Sequence, residues 1–558
     1  MNHEPILFRG GPIRTMNGAI RPEAVLVADG RISAVGEERD CLQAARRSPR
    51  IVELDGRCLM PGFVDAHMHM LLHGSRLDWV DLSGARSIET LVTLLADYGA
   101  AHPDAEAIRG YGYDQTLLAE QRHPAAADLD RVARARQVQI QHISGHGYVV
   151  NSKVLADHGI TRDTPTPLGG RLDHDATGDP TGLVFDAACD LLTGPSGVKV
   201  RNHGPNFHLP ISVEEHRRLL HLSQESFLQA GVTSVCDAQV TDLEMTGYVA
   251  ARDAGELLLK AQVLMLSSHM DHLRAAGIVG ALGDDHLGIA GVKFYADGSV
   301  LARTACLGDC CGGHRGDHRD GYLYHEPEEL GDLLASAHEL GFSTATHAQG
   351  TYPIELVLEA VGRARARRPR PDVLHRIEHC GFPTDEQVAR MRTLGIVPVP
   401  QPLQVHERAD ALIAEYGPAG GRFYPYGAFA EAEIGVIVSS DAPVTDPAPL
   451  HSAWAAITRE TSSGQVAGGT ELAVTREQAL AGITRTPARL LRRSGDGRIE
   501  EGTAADLVLL DGDPFEGAIE ALPSIAATET WVDGRPVWRR GEGVLAATED
   551  RVPAGAAA

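Results

Sequence analysis

The stretch "PGFVDAHMHM", Pro61 to Met70, ends an apolar run with two histidines one residue apart. In a β-strand alternate side chains share a face, so His67 and His69 project together, with Asp65 below them. Paired imidazoles at a strand end suit a metal ion, whereas a single H-x-H also fits histidines packed in a half-buried strand. The surrounding chain must discriminate.

Outward from this strand, short apolar runs alternate with helical stretches, the pattern of a parallel α/β architecture. Strands are expected at "GFVDAHMH", "VTSVCDA", "LKAQVLML", "GVKFYAD", "FSTATHA", "VLHRIEHC", "IVPVPQP" and "GVIVSSDAP". Eight such units close a distorted TIM (β/α)8 barrel, with its first strand at 61–70 and the rest at 231–495. The interval 71–230 is too long for one connection and reads as an inserted subdomain that returns to the barrel, with strand-like pieces "AIRGYGYD" and "VQIQHISGHGYVV". Alternating apolar residues around D-G and N-G turns at both chain ends, 1–60 and 496–545, predict the two parts of one small β-sandwich. The tail 546–558 lacks apolar periodicity and is expected to be disordered.

The chain has 558 residues, 43% hydrophobic and 23% charged, in keeping with a packed, enzyme-sized body. With 51 basic against 75 acidic residues the net charge is −24, which disfavours nucleic acid and anionic membrane surfaces as partners. The basic piece "RARARRPRP" reads as a solvated helix end. No basic segment precedes a long apolar one at the N-terminus, and no apolar run reaches about 18 residues. Eight scattered cysteines do not form a disulfide framework. A cytoplasmic protein with a small-molecule substrate is expected, with a homodimer as the default assembly.

The expected strands end in His67 and His69, Lys293, His347, His379 and Asp441. In a β/α barrel the carboxyl ends of all strands converge on one mouth. Four imidazoles, a carboxylate and a lysine gathered there have the makeup of a divalent-metal hydrolytic site, with zinc or a similar ion in mind. Lys293 fits beside metal only if it is deprotonated or chemically modified.

In order along the chain, "PGFVDAHMH", "GVKFYADGS", "THAQG", "RIEHC" and "SSDAPV" resemble the amidohydrolase superfamily, in particular its YtcJ-like or N-substituted formamide deformylase branch. "GYGYDQT", "SGHGYVVNSKVLADHGI", "GDPTGLVFDAA", "GVTSVCDA", "GITRTPARLL" and "GRIEEGTAADLVLLDGDP" extend the resemblance from about residue 5 to 540. It implies His67, His69 and Asp441 as ligands of one metal and His347 and His379 as ligands of a second. Lys293 matches the lysine that takes up CO₂ to become N6-carboxylysine bridging two ions, zinc being the expected metal. The implied activity is hydrolysis of a non-peptide C–N bond, of N-substituted amide or formamide type, by a metal-activated hydroxide. Asp441 would accept the water's proton and pass it to the leaving nitrogen, so Asp441 and Lys293 are the catalytic candidates.

One departure from the branch follows His347, where "HAQGTY" places Thr351 at a position often acidic. The His-x-x-Glu spacing of mononuclear deaminases is missing too, since residue 350 is Gly. A heterocycle deaminase or a cyclic amide or ester hydrolase stays as an alternative, as does a catalytically silent scaffold, which would have no use for six converging polar groups. Tyr113, Asp114, His146 and Gln401 are candidate substrate contacts, each also readable as a structural residue. Cys306, Cys310, Cys311, His314 and His318 crowd one loop, better read as a substrate loop than as a zinc knot, because no paired C-x₂-C spacing occurs. Cys236 reads as a small buried residue. His375 lies about 13 Å down its strand from His379, too deep for a ligand. The acids of "GDGRIEEGTAADLVLLDGDP" lack the order of a calcium loop.

Overall fold

The computed structural model describes residues 4–18, 21–195, 197–209, 211–307, 321–491 and 497–545. The expected disordered tail and the loop residues Cys310, Cys311, His314 and His318 lie outside the described residues.

Two small sheets pack face to face. One pairs Ile6–Arg9 with Ala24–Ala28 and Arg50–Glu53, and adds Arg31–Gly36. The other joins Cys58–Pro61 antiparallel to Leu507–Leu510, followed by Ala527–Val532 and Arg535–Arg539. Their shared core contains Phe8, Leu59, Leu507, Leu509 and Trp531, with the Phe8 and Trp531 rings edge to face at 5.1 Å. Burying each such side chain is worth about 1.5–3 kcal/mol, so the two ends of the chain are tied together far from one another in sequence. Gly62 then passes the chain into the barrel at a point where a Cβ would sit 2.3 Å from the Thr233 side chain.

The barrel strands are β1 (Phe63–Met68), β2 (Val232–Val240), β3 (Lys260–Leu266), β4 (Leu287–Tyr295), β5 (Thr344–Ala348), β6 (His375–His379) and β7 (Ile396–Val399). They pair in parallel in chain order, as right-handed β-α-β units dictate. Register aligns their carboxyl ends: Lys293 faces Ala345, Tyr295 faces His347, and Ala348 faces His379. Outside lie helices such as Pro327–Leu340, opened by a proline at its first turn and stopped by Gly341 at φ 95°, and Thr351–Arg367. Helix Asp385–Leu394 begins with Thr384 and Gln387 in a reciprocal capping box.

The eighth expected strand is a correction. Residues 435–443 run beside β1 without forming a ladder. Asp441 N–H donates to His67 O at 2.8 Å and His69 N–H to Ala442 O at 2.9 Å, while the Ser439 hydroxyl reaches Pro400 O at 3.0 Å. Pro398 and Pro400 supply no N–H on the β7 side, and Asp441 adopts φ 57°, so regular pairing is unavailable although the barrel closes there.

The 71–230 region contains a six-stranded sheet in the spatial order Gly170–His174, Pro180–Asp186, Gly147–Val150, Gln137–His142, Ala107–Tyr113, Val80–Asp81. Its hairpin turn between Gln137–His142 and Gly147–Val150 carries His146 to the barrel mouth. Among the described residues no helix is long and apolar enough to cross a membrane.

Candidate metal centre

At the end of β1, Nε2 of His67 and Nε2 of His69 lie 3.4 and 3.3 Å from the same oxygen, Oδ1 of Asp441. The His67 ring centroid is 4.8 Å from that of His379, which is 4.4 Å from that of His347. Candidate ligand atoms of His67, His379 and Asp441 fall within 4.8 Å of one another. The six expected ligands, Lys293 included, are all buried.

Three of the four imidazoles are oriented by a bond on the far nitrogen, the arrangement that fixes which nitrogen is free to ligate, whereas Nδ1 of His69 is buried without a partner. Nδ1 of His67 is hydrogen-bonded to Glu378, leaving Nε2. His347 Nε2 donates to Gly298 O at 2.9 Å, leaving Nδ1. Nδ1 of His379 bonds Gln401 Oε1 at 2.8 Å, leaving Nε2. Burial pushes His69 down to about 4 and His379 down to about 3, so both rings are neutral at pH 7 and can offer a lone pair. Burial pushes Asp441 upward, but the adjacent His67 and His69 rings hold its carboxyl well below the usual range.

Lys293 is the exception in this donor set. Its Nζ is buried without a hydrogen-bond partner, 4.6 Å from the Tyr295 ring centroid, and burial pushes it down to about 8 against the pull of Glu378 and Asp441. A bare ammonium is poorly satisfied in this place.

Several supporting groups escaped the sequence reading. Glu378 and Arg376 form a fully buried ion pair, with Arg376 Nε to Glu378 Oε1 at 2.5 Å, and Arg376 also reaches across the barrel to Ala66 O at 2.6 Å. Asp297 accepts the backbone N–H groups of Gln349, Cys306 and Gly350 at 2.9, 3.0 and 3.2 Å, gathering the loops beside His347. The Tyr424 hydroxyl lies 3.0 and 3.2 Å from the side-chain oxygens of Gln401 and Gln404, and Gln404 donates to Asp441 Oδ2 at 3.3 Å. The "RIEHC" text displays Arg376 and Glu378, but nothing in their spacing distinguishes a buried ion pair from a solvated one.

Of the expected substrate contacts, His146 lines the cavity over the centre. Tyr113, Asp114 and Gln401 do not, and these are corrections. Tyr113 turns into the insert's own core, its hydroxyl 3.1 Å from Nδ1 of His123. Asp114 is held by Arg408 at 3.0 Å and by Thr116. Gln401 is buried behind His379 and orients it. Thr351, at the often acidic position, opens its helix and bonds Phe382 O at 2.7 Å. His375 faces the outer helix layer, 3.0 Å from His338, and not the site.

The Amidohydrolase family model matches residues 50–538. The chain belongs to the amidohydrolase family. N-substituted formamide deformylase of Arthrobacter pascens is 29% identical over 524 residues, 92% of this chain and 94% of that protein. Bacillus subtilis YtcJ is 28% identical over 96% of this chain and 99% of its own. A solved metal-dependent hydrolase of Pyrococcus horikoshii OT3 shares the fold, with TM-score 0.73 and 24% identity over 93% of this chain and 99% of that one. The protein is thus an amidohydrolase, a hydrolase acting on carbon–nitrogen bonds other than peptide bonds. The donor set fits a divalent ion: neutral imidazoles with oriented lone pairs, an anionic carboxylate, and buried polar atoms, His67 Nε2 and Lys293 Nζ among them, that lack hydrogen-bond partners.

Proposed function

We propose that this amidohydrolase cleaves N-substituted formamides or closely related N-substituted amides, with two divalent ions, zinc in the first instance, held partly by a carboxylated Lys293. The buried, unpartnered Nζ of Lys293 among four imidazoles carries the proposal. Capping that amine with CO₂ replaces a cation by an anionic oxygen pair, which relieves both the charge conflict and the missing hydrogen bonds. Resemblance in sequence to a formamide deformylase along nearly the whole chain supports the substrate class.

His67, His69 and Asp441 would hold one ion, His347 and His379 the other, and Lys293 would contribute to both. When bound, such ions polarise the substrate carbonyl and make water a stronger acid. The chain's own part is positional and protonic. Glu378, Gly298 and Gln401 keep three imidazoles in the ligating orientation. Asp441 Oδ2, steered by Gln404, takes the proton from water and returns it to the amide nitrogen as the C–N bond breaks. Phe207 and Leu72 add apolar surface to an otherwise largely polar cavity wall, against which the substituent of the amide can pack.

The test combines metal analysis of the purified protein, ¹³C NMR after exchange with ¹³C-bicarbonate, and release of formate from a panel of N-alkylformamides. Bound divalent metal, a carbamate resonance and formate with the matching amine are expected. Metal-free protein, or loaded protein that releases no amine from any amide, would overturn the assignment.

A further inference from the structure

Asp186 ends the insert strand Pro180–Asp186, fully buried and at φ 54°, ψ −127°, a costly conformation for a residue with a Cβ. Its Oδ1 accepts hydrogen bonds from Nδ1 of His146 at 2.6 Å and from the Tyr324 hydroxyl at 2.5 Å, and its Oδ2 accepts one from the Tyr322 hydroxyl. Its backbone N–H also donates to His146 O at 2.7 Å. Burial and the adjacent carboxylate push both phenols well above their ordinary value, so both remain donors. His146 and Asp186 come from the insert, while the tyrosines follow β4 of the barrel. The cluster therefore fixes one ring across two parts of the fold.

A carboxylate that receives three donors assigns the hydrogen of His146 to Nδ1. In the neutral ring, Nε2 is then a hydrogen-bond acceptor. The ring lines the cavity, its centroid 5.8 Å from that of His347 and 6.4 Å from that of Tyr295. A purely structural His–Asp pair would have no need to form the wall of the reaction cavity. Among the described residues that wall has no lysine or arginine, and its only acid is Asp441.

We propose that His146 accepts a hydrogen bond from the N–H of the scissile amide, so that the enzyme selects N-monosubstituted amides with an uncharged substituent and rejects N,N-disubstituted ones. This deepens the amide-hydrolase reading and rests on it. Asp186, Tyr322 and Tyr324 act as positioning residues that hold the accepting tautomer. An amide lacking the N–H leaves the buried acceptor unpaired and discards the binding that Asp186 has organised.

The test uses N-butylformamide and N-butyl-N-methylformamide with the metal-loaded full chain, measuring both kcat/KM and equilibrium binding by calorimetry. Wild type should favour the secondary amide by at least about 10-fold in both readouts. His146→Phe should bring the ratio down about 10-fold with metal content unchanged, since a steric objection to the N-methyl group would survive that change. Asp186→Asn, which lets the tautomer reverse, should move the ratio in the same direction, and it serves if His146→Phe does not fold. Equal handling of the two amides by wild type, binding of neither, or a ratio unmoved in the variants would overturn the proposal. Selective binding of the secondary amide without turnover would instead overturn the hydrolytic assignment and leave the recognition by His146 standing.

Discussion

Glu378 offers the sharpest separation of fold from function. It is fully buried, salt-bridged to Arg376 and hydrogen-bonded to Nδ1 of His67. Burial pushes its carboxyl upward, but the Arg376 charge and then His67 hold it far below the ordinary range, so it is an anion at every pH of interest. Glu378→Gln removes that charge in two capacities. It leaves the Arg376 guanidinium buried without its counter-charge, with neutral acceptors such as the Gln amide oxygen and Ala66 O in its place, a loss of about 3–5 kcal/mol. It also lets His67 adopt the other tautomer, which blocks Nε2 and lowers metal affinity about 10- to 100-fold. Urea unfolding of chelator-stripped protein reads the first effect, and competition with a chromogenic zinc chelator reads the second. The double variant Arg376→Met, Glu378→Leu should regain most of the stability, because apolar residues replace both ions, yet it should still bind metal weakly. Restoration of both properties in the double variant, or wild-type metal affinity in Glu378→Gln, would refute the assignment of Glu378 as the group that orients His67.

Lys293→Ala should abolish the carbamate resonance, release at least one ion per chain by elemental analysis, and reduce turnover about 10²–10³-fold. Chelation of wild type should lower its melting temperature, and free metal at about 100 times its Kd should return about 2.7 kcal/mol. His73, pushed by burial down to about 3, gains its proton only in the unfolded chain between pH 6.5 and that value. Its contribution is therefore fully present above pH 6.5 and lost as pH falls. The stability gap between wild type and His73→Gln should accordingly shift by about 1.4 kcal/mol per pH unit between pH 6.5 and 5, and a constant gap in urea titrations would contradict it. Gly350→Ala would place a Cβ 1.8 Å from Cys306 O, so the turn after His347 must move, at about 1–3 kcal/mol in unfolding experiments and with weakened metal binding.

The barrel and the gathering of its candidate ligands are legible because the apolar runs close on polar residues, and parallel register brings such endings together. His67, His347 and His379 could be found in this way from strand ends alone. Glu378 could not, because a charged residue inside "RIEHC" looks the same whether it faces a helix or a metal ligand. Tyr113 and Asp114 were misread for the opposite reason: glycine-flanked polar text resembles a mouth loop, yet here it closes onto His123 and Arg408. The apolar run of "GVIVSSDAP" has every feature of a strand. What prevents the ladder is not visible in its residue types: Pro398 on the neighbouring strand and Pro400 just beyond it offer no N–H, and Asp441 within the run adopts a positive φ.

That backbone angle has counterparts. His379 at φ 65°, Asp441 at φ 57° and Asp186 at φ 54° all occupy the left-handed region, where a residue with a Cβ costs about 1–3 kcal/mol. Two are candidate ligands and the third holds His146. If barrel closure alone shaped residue 441, it would extend the ladder beside β1; its turn out of the strand lets one carboxylate oxygen approach both His67 and His69 while Gln404 takes the other. His379 leaves the alternation of β6 at the same level, which is how its ring comes to lie 4.8 Å from that of His67 although Arg376 and Glu378 occupy the other parity. The surrounding bonds over-determine these angles: Asp441 N–H to His67 O, Val444 N–H to Asp441 O and Asp186 N–H to His146 O at 2.8, 2.8 and 2.7 Å. Precision at the centre is thus stored in the backbone more than in side-chain rotamers. Asp and His adopt a positive φ more often than most residues but still only in a small minority of cases, so a sequence can name the candidate ligands and still conceal the device that aims them.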